Sequence, residues 1–322
     1  MSAYVVSLAD IQAAAARIGP HIHRTPVMTS RILDGLAGRA LLHKAELLQK
    51  TGSFKARGAL NAVLSLSEDE AARGVVTHSS GNHGQALAWA ARARGVPAAI
   101  VMPTNAPAAK RAAVAGYGAR VVGCAPTARA REETARQVAE DTGAVFIHPS
   151  NDPRVIAGQG TIGLELLEQA GGLDAVIVPV GGGGMISGIA VVMRAAGVRT
   201  FAAEPAGADD TAQAKVTGAR VTDFVPDTIA DGLRTPLSPN PWPIVRDLVE
   251  DVIVVDDDAI RAAMRLVWSR MKLVIEPSSA VGVAAALTEG FRARPGMARV
   301  GVVLCGGNVD LDALPWGGDR IS

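Results

Sequence analysis

Cysteine, lysine, net charge and long apolar runs are all scarce in this 322-residue chain, and each shortage excludes something. Only Cys124 and Cys305 are present. They lie far apart and without metal-ligand spacing, which argues against a disulfide framework and fits a reducing compartment. Lys+Arg 32 against Asp+Glu 31 leaves a formal charge of +1, so no overall field draws the chain to nucleic acid or anionic lipid. No apolar stretch approaches a membrane span, and Met1 to Pro20 lacks a basic stretch followed by an apolar run. A cytoplasmic protein acting on a small molecule, with neither nucleic acid nor membrane as partner, is expected. No repeat, heptad or low-complexity tract is seen. The length and the 48% hydrophobic content can fill more than one buried core.

Ser7 followed by Asp10 marks a helix start, and Gly19-Pro20 its end. From residue 74, short β-branched runs alternate with alanine-rich helical stretches. Val75 to Thr77, Ala98 to Met102, Arg120 to Gly123 and Val145 to His148 read as strands of one lobe. Ala175 to Val180, Thr200 to Ala203, Val252 to Val255 and Val300 to Leu304 read as strands of another, joined by a strand-like piece within 39–50. The pattern predicts an α/β protein of two-lobed open parallel sheets with helices on both faces. Residues 74–150 form a small inserted domain, and residues 1–73 with 151–322 a larger one. Open parallel sheets bind ligands beyond the carboxyl ends of their strands, so the strand-to-helix junctions hold the candidate chemistry.

Four junctions are unusual. In Thr51-Gly52-Ser53-Phe54-Lys55, Ser53 is a plausible N-cap, which puts Lys55 in the first helical turn. The helix dipole and burial there disfavour an ammonium and expose an amine able to form a Schiff base. A solvated surface lysine is the alternative, although the chain has only six lysines. Ser79-Ser80-Gly81-Asn82-His83-Gly84 presents backbone N–H groups at a helix start, suited to a carboxylate or phosphate, or is an ordinary polar turn. Gly181-Gly182-Gly183-Gly184 can wrap an anion. It lacks the Gly-Lys-Ser/Thr ending of a nucleotide loop, and no GxGxxG with a downstream acid is evident. Cys305, in Leu304-Cys305-Gly306-Gly307-Asn308, is either a buried small hydrophobe or a neutral contact to a heterocycle nitrogen. Together these are the parts that hold pyridoxal phosphate.

With His23-Arg24-Thr25-Pro26-Val27, Gly158-Gln159-Gly160-Thr161 and Asn308-Val309-Asp310, these segments resemble the fold type II pyridoxal-phosphate enzymes, whose architecture is that of tryptophan synthase β. Within them the likeness is to the serine racemase and serine/threonine dehydratase group, and it spans nearly the whole chain. The resemblance implies that Lys55 carries the cofactor, that Phe54 and the Gly232 region flank its ring, and that Asn82 bonds its 3-hydroxyl. Gly181, Gly182, Gly183 and Gly184 with Met185 would bind the phosphate, and Cys305 would face the ring nitrogen where many relatives have serine. Ser79, Ser80, Asn82 and His83 would hold the amino-acid substrate, with Lys55 and Ser80 as bases on opposite faces. The family also implies a Mg²⁺ or Ca²⁺ ion on Glu204, the Ala208 carbonyl and Asp210, and a homodimer. The implied reaction is dehydration and deamination of serine or threonine, with racemisation as a second activity. Two alternatives stand beside it: a 3-hydroxyaspartate dehydratase using Arg131 or Arg234 for the extra carboxylate, and a non-catalytic cofactor-binding regulator. No regulatory domain is expected after Asp310.

Overall fold

A computed structural model describes residues 4–79 and 81–316. Its six-stranded sheet comprises β1 (Val27–Met28), β2 (Ala40–Ala45), β7 (Ala175–Pro179), β8 (Arg199–Pro205), β9 (Asp251–Val255) and β10 (Arg299–Leu304), in the order β1-β2-β10-β7-β8-β9. The four-stranded sheet comprises β3 (Val75–His78), β4 (Ala98–Pro103), β5 (Arg120–Cys124) and β6 (Val145–Phe146), in the order β5-β4-β3-β6. Every pairing is parallel except that of β1 with β2. β1 is too short to stand out from the sequence, and the eight strands read there are found with ends shifted by up to two residues.

Alternation along each strand puts helices on both faces. Ala175, Ile177, Phe201, Ala203, Val300 and Val302 point into one core with the helices Asp257–Met271 and Pro277–Leu287. Val176, Val178, Ala202 and Val303 point into the opposite core with the helices Pro153–Ala170 and Gly184–Ala195. The small sheet divides likewise: Val75 and Ile100 face one side, and Val76, Ala99 and Val101 face the helix Ala128–Thr142. Each fully buried valine or isoleucine contributes roughly 1.5–3 kcal/mol. The Ser7 cap is present as a capping box with Asp10.

The helix Lys55–Leu64 lies between the sheets. Ala59, Leu60, Ala62 and Val63 join the small sheet's core, and Gly58 meets Gly158 so closely that a Cβ on Gly158 would stand 2.6 Å from the Gly58 Cα. Beneath it sits a buried ionic centre. The Arg57 guanidinium donates to both oxygens of Glu46 at 2.7 and 2.8 Å and to both oxygens of Glu165 at 2.7 and 2.8 Å. Lys44 Nζ also reaches Glu165, at 2.6 Å, and the Thr25 carbonyl at 2.7 Å. The two segments with Thr25 and Thr161 therefore belong to the scaffold under Lys55, since Thr161 Oγ1 accepts from Arg57 at 3.2 Å. Among the described residues no helix is long and apolar enough to cross a membrane.

Candidate active site

Lys55 opens its helix, but Ser53 does not cap it. Phe54 is the N-cap, and Ser53 is buried in a bridge to Gly306. The Phe54 N–H donates to the Cys305 carbonyl at 2.9 Å, which pins the lysine turn to the end of β10. Lys55 Nζ donates to the Pro149 carbonyl at 2.9 Å and lies 5.0 Å from the centre of the Phe54 ring. Burial pushes its amine down to about 8, opposed by Cys305 and Glu276. An amine in that range keeps a reactive neutral fraction near pH 7.

The glycine run follows β7. Gly183 has φ +84°, and a Cβ on it would stand 2.3 Å from Leu237 Cδ1; one on Gly182 would stand 2.4 Å from Ser150 Oγ. Only bare backbone fits between these walls. The helix Gly184–Ala195 begins at once, and Met185 is in its first turn, whose N–H groups lack intrahelical partners. Ser150 and Ser238, their hydroxyls 2.8 Å apart, lie buried beside the run. Lys55 is tied to this same wall, because Pro149 directly precedes Ser150.

The helix Asn82–Arg94 begins inside the Ser79–Gly84 turn. His83 is buried, and its Nε2–H donates to the Ile147 carbonyl at 3.3 Å while Nδ1 has no partner. Burial, and then Lys55, keep its pKa well below the usual range, so the ring is neutral. Ser79 precedes this turn, and its Oγ accepts from Gly81 N at 3.3 Å. Ser80, the predicted second base, lies outside the described residues. Cys305 is 2% exposed; burial raises its thiol far above the usual value, with Glu276 adding to the effect, so it faces the cleft uncharged. The Gly232 N–H is held by Ser278 Oγ at 3.0 Å, and Leu233 abuts Gly181.

The two arginines part company. Arg234 turns its Nε–H and Nη2–H onto the Thr228 carbonyl. Arg131, half-buried on the helix Ala128–Thr142, faces His78: burial is the main cause of that imidazole's lowered pKa, Glu132 opposes it and Arg131 adds to it. The acidic pair is separate from the lysine cleft. Glu204, the penultimate residue of β8, is fully buried, its carboxylate accepting from Thr211 N at 3.0 Å and Ala212 N at 2.9 Å. Asp210 Oδ2 accepts from Leu237 N at 2.8 Å, while its Oδ1 is buried with no partner. Burial raises both carboxyls, Glu204 to about 8 with Asp210 repelling it, and Asp210 to about 6. Ala208 is buried beside them. Among the described residues no three His, Cys, Asp or Glu side chains cluster as a metal site, so a cation here needs backbone oxygen.

Reading the sequence missed Pro149, Ser150, Ser238, Asn308 as a contact, and Glu276. Ser150 follows β6, where the strand-end rule points; Glu276 has no comparable signal.

The family described as "Pyridoxal-phosphate dependent enzyme" matches residues 18–306. Human serine racemase is 51% identical over 321 residues, covering 97% of this chain and 94% of that protein. A pyridoxal 5'-phosphate-dependent aspartate racemase structure superposes with a TM-score of 0.94 at 47% identity, covering 98% of this chain and 100% of that one. The threonine deaminase of T.th. gives a TM-score of 0.89 at 46% identity, covering 95% of this chain and 99% of that one.

Proposed function

Because the chain belongs to the pyridoxal-phosphate dependent enzymes, we propose that it dehydrates and deaminates a small hydroxy amino acid such as L-serine or L-threonine to a 2-oxo acid and ammonia, and also racemises serine. The observation that carries this reading is the convergence on one cleft of the Lys55 amine, the Asn82 turn, the Cys305 thiol and a glycine run that admits no side chain. Likeness at about half identity to serine racemase, and nearly as much to threonine deaminase, supports the substrate class.

The residues fit the cofactor. Gly181 to Met185 with the Ser150 and Ser238 hydroxyls would hold its phosphate, Asn82 its ring oxygen, Phe54 a ring face, and Cys305 the ring nitrogen. When bound, it withdraws electrons from the Cα of an attached amino acid. Lys55, with its depressed pKa, takes the Cα proton as general base. The Pro149 carbonyl orients Nζ. N–H groups at the start of the Asn82 helix, with Ser79, hold the substrate carboxylate, and neutral His83 adds no competing charge. The uncharged Cys305 thiol would contact the ring nitrogen without protonating it, which would leave the bound cofactor a weaker electron sink.

A panel of hydroxy amino acids, scored for 2-oxo acid release with chiral analysis of what is recovered, tests this. L-Serine and L-threonine should react; silence toward every member, with no loss of chirality, would end the proposal. Elimination needs one base and racemisation two, so Ser80→Ala should suppress racemisation by ~10²-fold or more while sparing dehydration of the L-amino acid. Proportional loss of both would reduce Ser80 to a substrate contact. The panel must include 3-hydroxyaspartate. Arg131 beside the cleft's His78 and likeness to an aspartate racemase favour an acidic substrate as the second reading.

We also assign a Mg²⁺ or Ca²⁺ ion to Glu204, Asp210 and the Ala208 carbonyl, since an orphaned buried carboxylate oxygen beside a second carboxylate needs a positive partner. Leu237 links this pair to the phosphate run, bonding Asp210 through its N–H and packing on Gly183. Chelation should therefore lower Tm by several degrees and release cofactor. A chelated enzyme unchanged in Tm and in colour would remove the ion. A cytoplasmic homodimer is the proposed assembly, which sedimentation checks.

A further inference from the structure

Glu276 stands in the middle of the cleft. It is the N-cap of the helix Pro277–Leu287, yet its side chain makes no capping bond. It is 3% exposed, and its oxygens instead accept the Asn82 Nδ2–H group at 2.9 and 3.1 Å, with Cys305 Sγ at 4.0 Å. Gly306 makes the room: a Cβ there would stand 2.7 Å from Glu276 Oε1. The Asn82 amide is gripped at its other end too. Asn308 Nδ2 donates to Asn82 Oδ1 and to the Thr51 carbonyl, both at 2.8 Å, which leaves the Asn82 NH₂ aimed at Glu276.

We propose that Glu276 is a positioning residue for this chemistry, aiming the Asn82 amide and coupling the charge on the Lys55 nitrogen to its own. The inference rests on the cofactor reading above. The charged and titratable groups that face Glu276 are Lys55, Cys305, Asp231 and Lys110. Burial pushes its carboxyl up to about 7; the Asn82 bond opposes that, Asp231 adds to it, and Lys110 opposes it weakly. As pH rises through that value Glu276 becomes an anion, and an anion there raises the proton affinity of the Lys55 nitrogen. The second titration is thereby pushed upward while it proceeds, so it spreads over a wider pH range than a single site would.

The holoenzyme tests this through the visible absorbance of its Lys55-bound cofactor, followed against pH in wild type, Glu276→Gln and Glu276→Asp. Gln keeps an acceptor for Asn82 and loses the charge, so its midpoint should fall by at least half a unit, about threefold in protonated fraction above the midpoint, and its curve should narrow to one site. Asp keeps the charge and should restore the broad curve. Coloured wild type and Gln variant with superimposable titrations would overturn the coupling and leave the cofactor reading intact; a colourless wild type would overturn both. Should the Gln variant not fold, wild type alone decides, because a single-site curve refutes the coupling.

Discussion

Lys55→Ala is expected to abolish the borohydride-trapped adduct on the peptide containing residue 55 and to lower lyase activity by ~10⁴-fold or more, since it removes both the covalent anchor and the proton acceptor. The loss should be chemical and not structural. Among the described residues the Lys55 amine makes a single hydrogen bond, to Pro149, and its alanine replacement preserves the helix start at the best intrinsic propensity. Relieving a buried amine of its desolvation leaves the Tm of the cofactor-free protein unchanged or slightly higher. A variant that still yields the reduced adduct on that peptide, or a wild type that yields none, would refute Lys55 as the anchor. Exogenous small amines that restore part of the activity would identify the missing group as the base.

Arg57→Ala is expected to produce the largest stability loss of any single change near the site. Arg57 is fully buried and makes two-pronged bonds to Glu46 and Glu165. Removing it strands two carboxylates with Lys44 as their remaining cation, and breaking such a buried pair costs about 3–5 kcal/mol. For a chain of this size that corresponds to a fall in Tm of ~10 °C. Lysine in its place would keep one charge but lose the fork that spans both carboxylates, so Arg57→Lys should fall between. Activity should drop further than folding accounts for, because Arg57 lies two residues beyond Lys55 and ties that helix to the turn after β2, at Glu46, and to the helix Pro153–Ala170. An alanine variant melting within a degree or two of wild type would show that water enters and solvates the stranded charges.

Periodicity and punctuation were enough to find every strand but β1, the two sheets and the four junctions that meet in the cleft. Short β-branched runs at regular intervals leave few alternatives to a parallel α/β arrangement, and each junction carries its signal in adjacent residues. Lys55, Asn82 and the glycine run are local in this sense. The Ser53 cap failed for a tertiary reason: Gly306 draws Ser53 into a bridge, and the Cys305 carbonyl takes the Phe54 N–H. Thr25 and Thr161 stood out in sequence without a role, because the charges that give them one come from residues 46, 57 and 165.

The sequence by itself determined the class of chemistry, since a lysine at a helix start and a glycine cup need only short-range geometry to be recognised. Tertiary structure alone decided the electrical state of the site. Glu276 meets Asn82 across 194 positions, Arg234 is spent on a carbonyl while the charge of Arg131 acts on His78, and Asp210 keeps an unpaired oxygen. Charge and desolvation act through space over a few ångströms, so a pKa depends on which distant residues the fold brings to that point, and no local pattern records it.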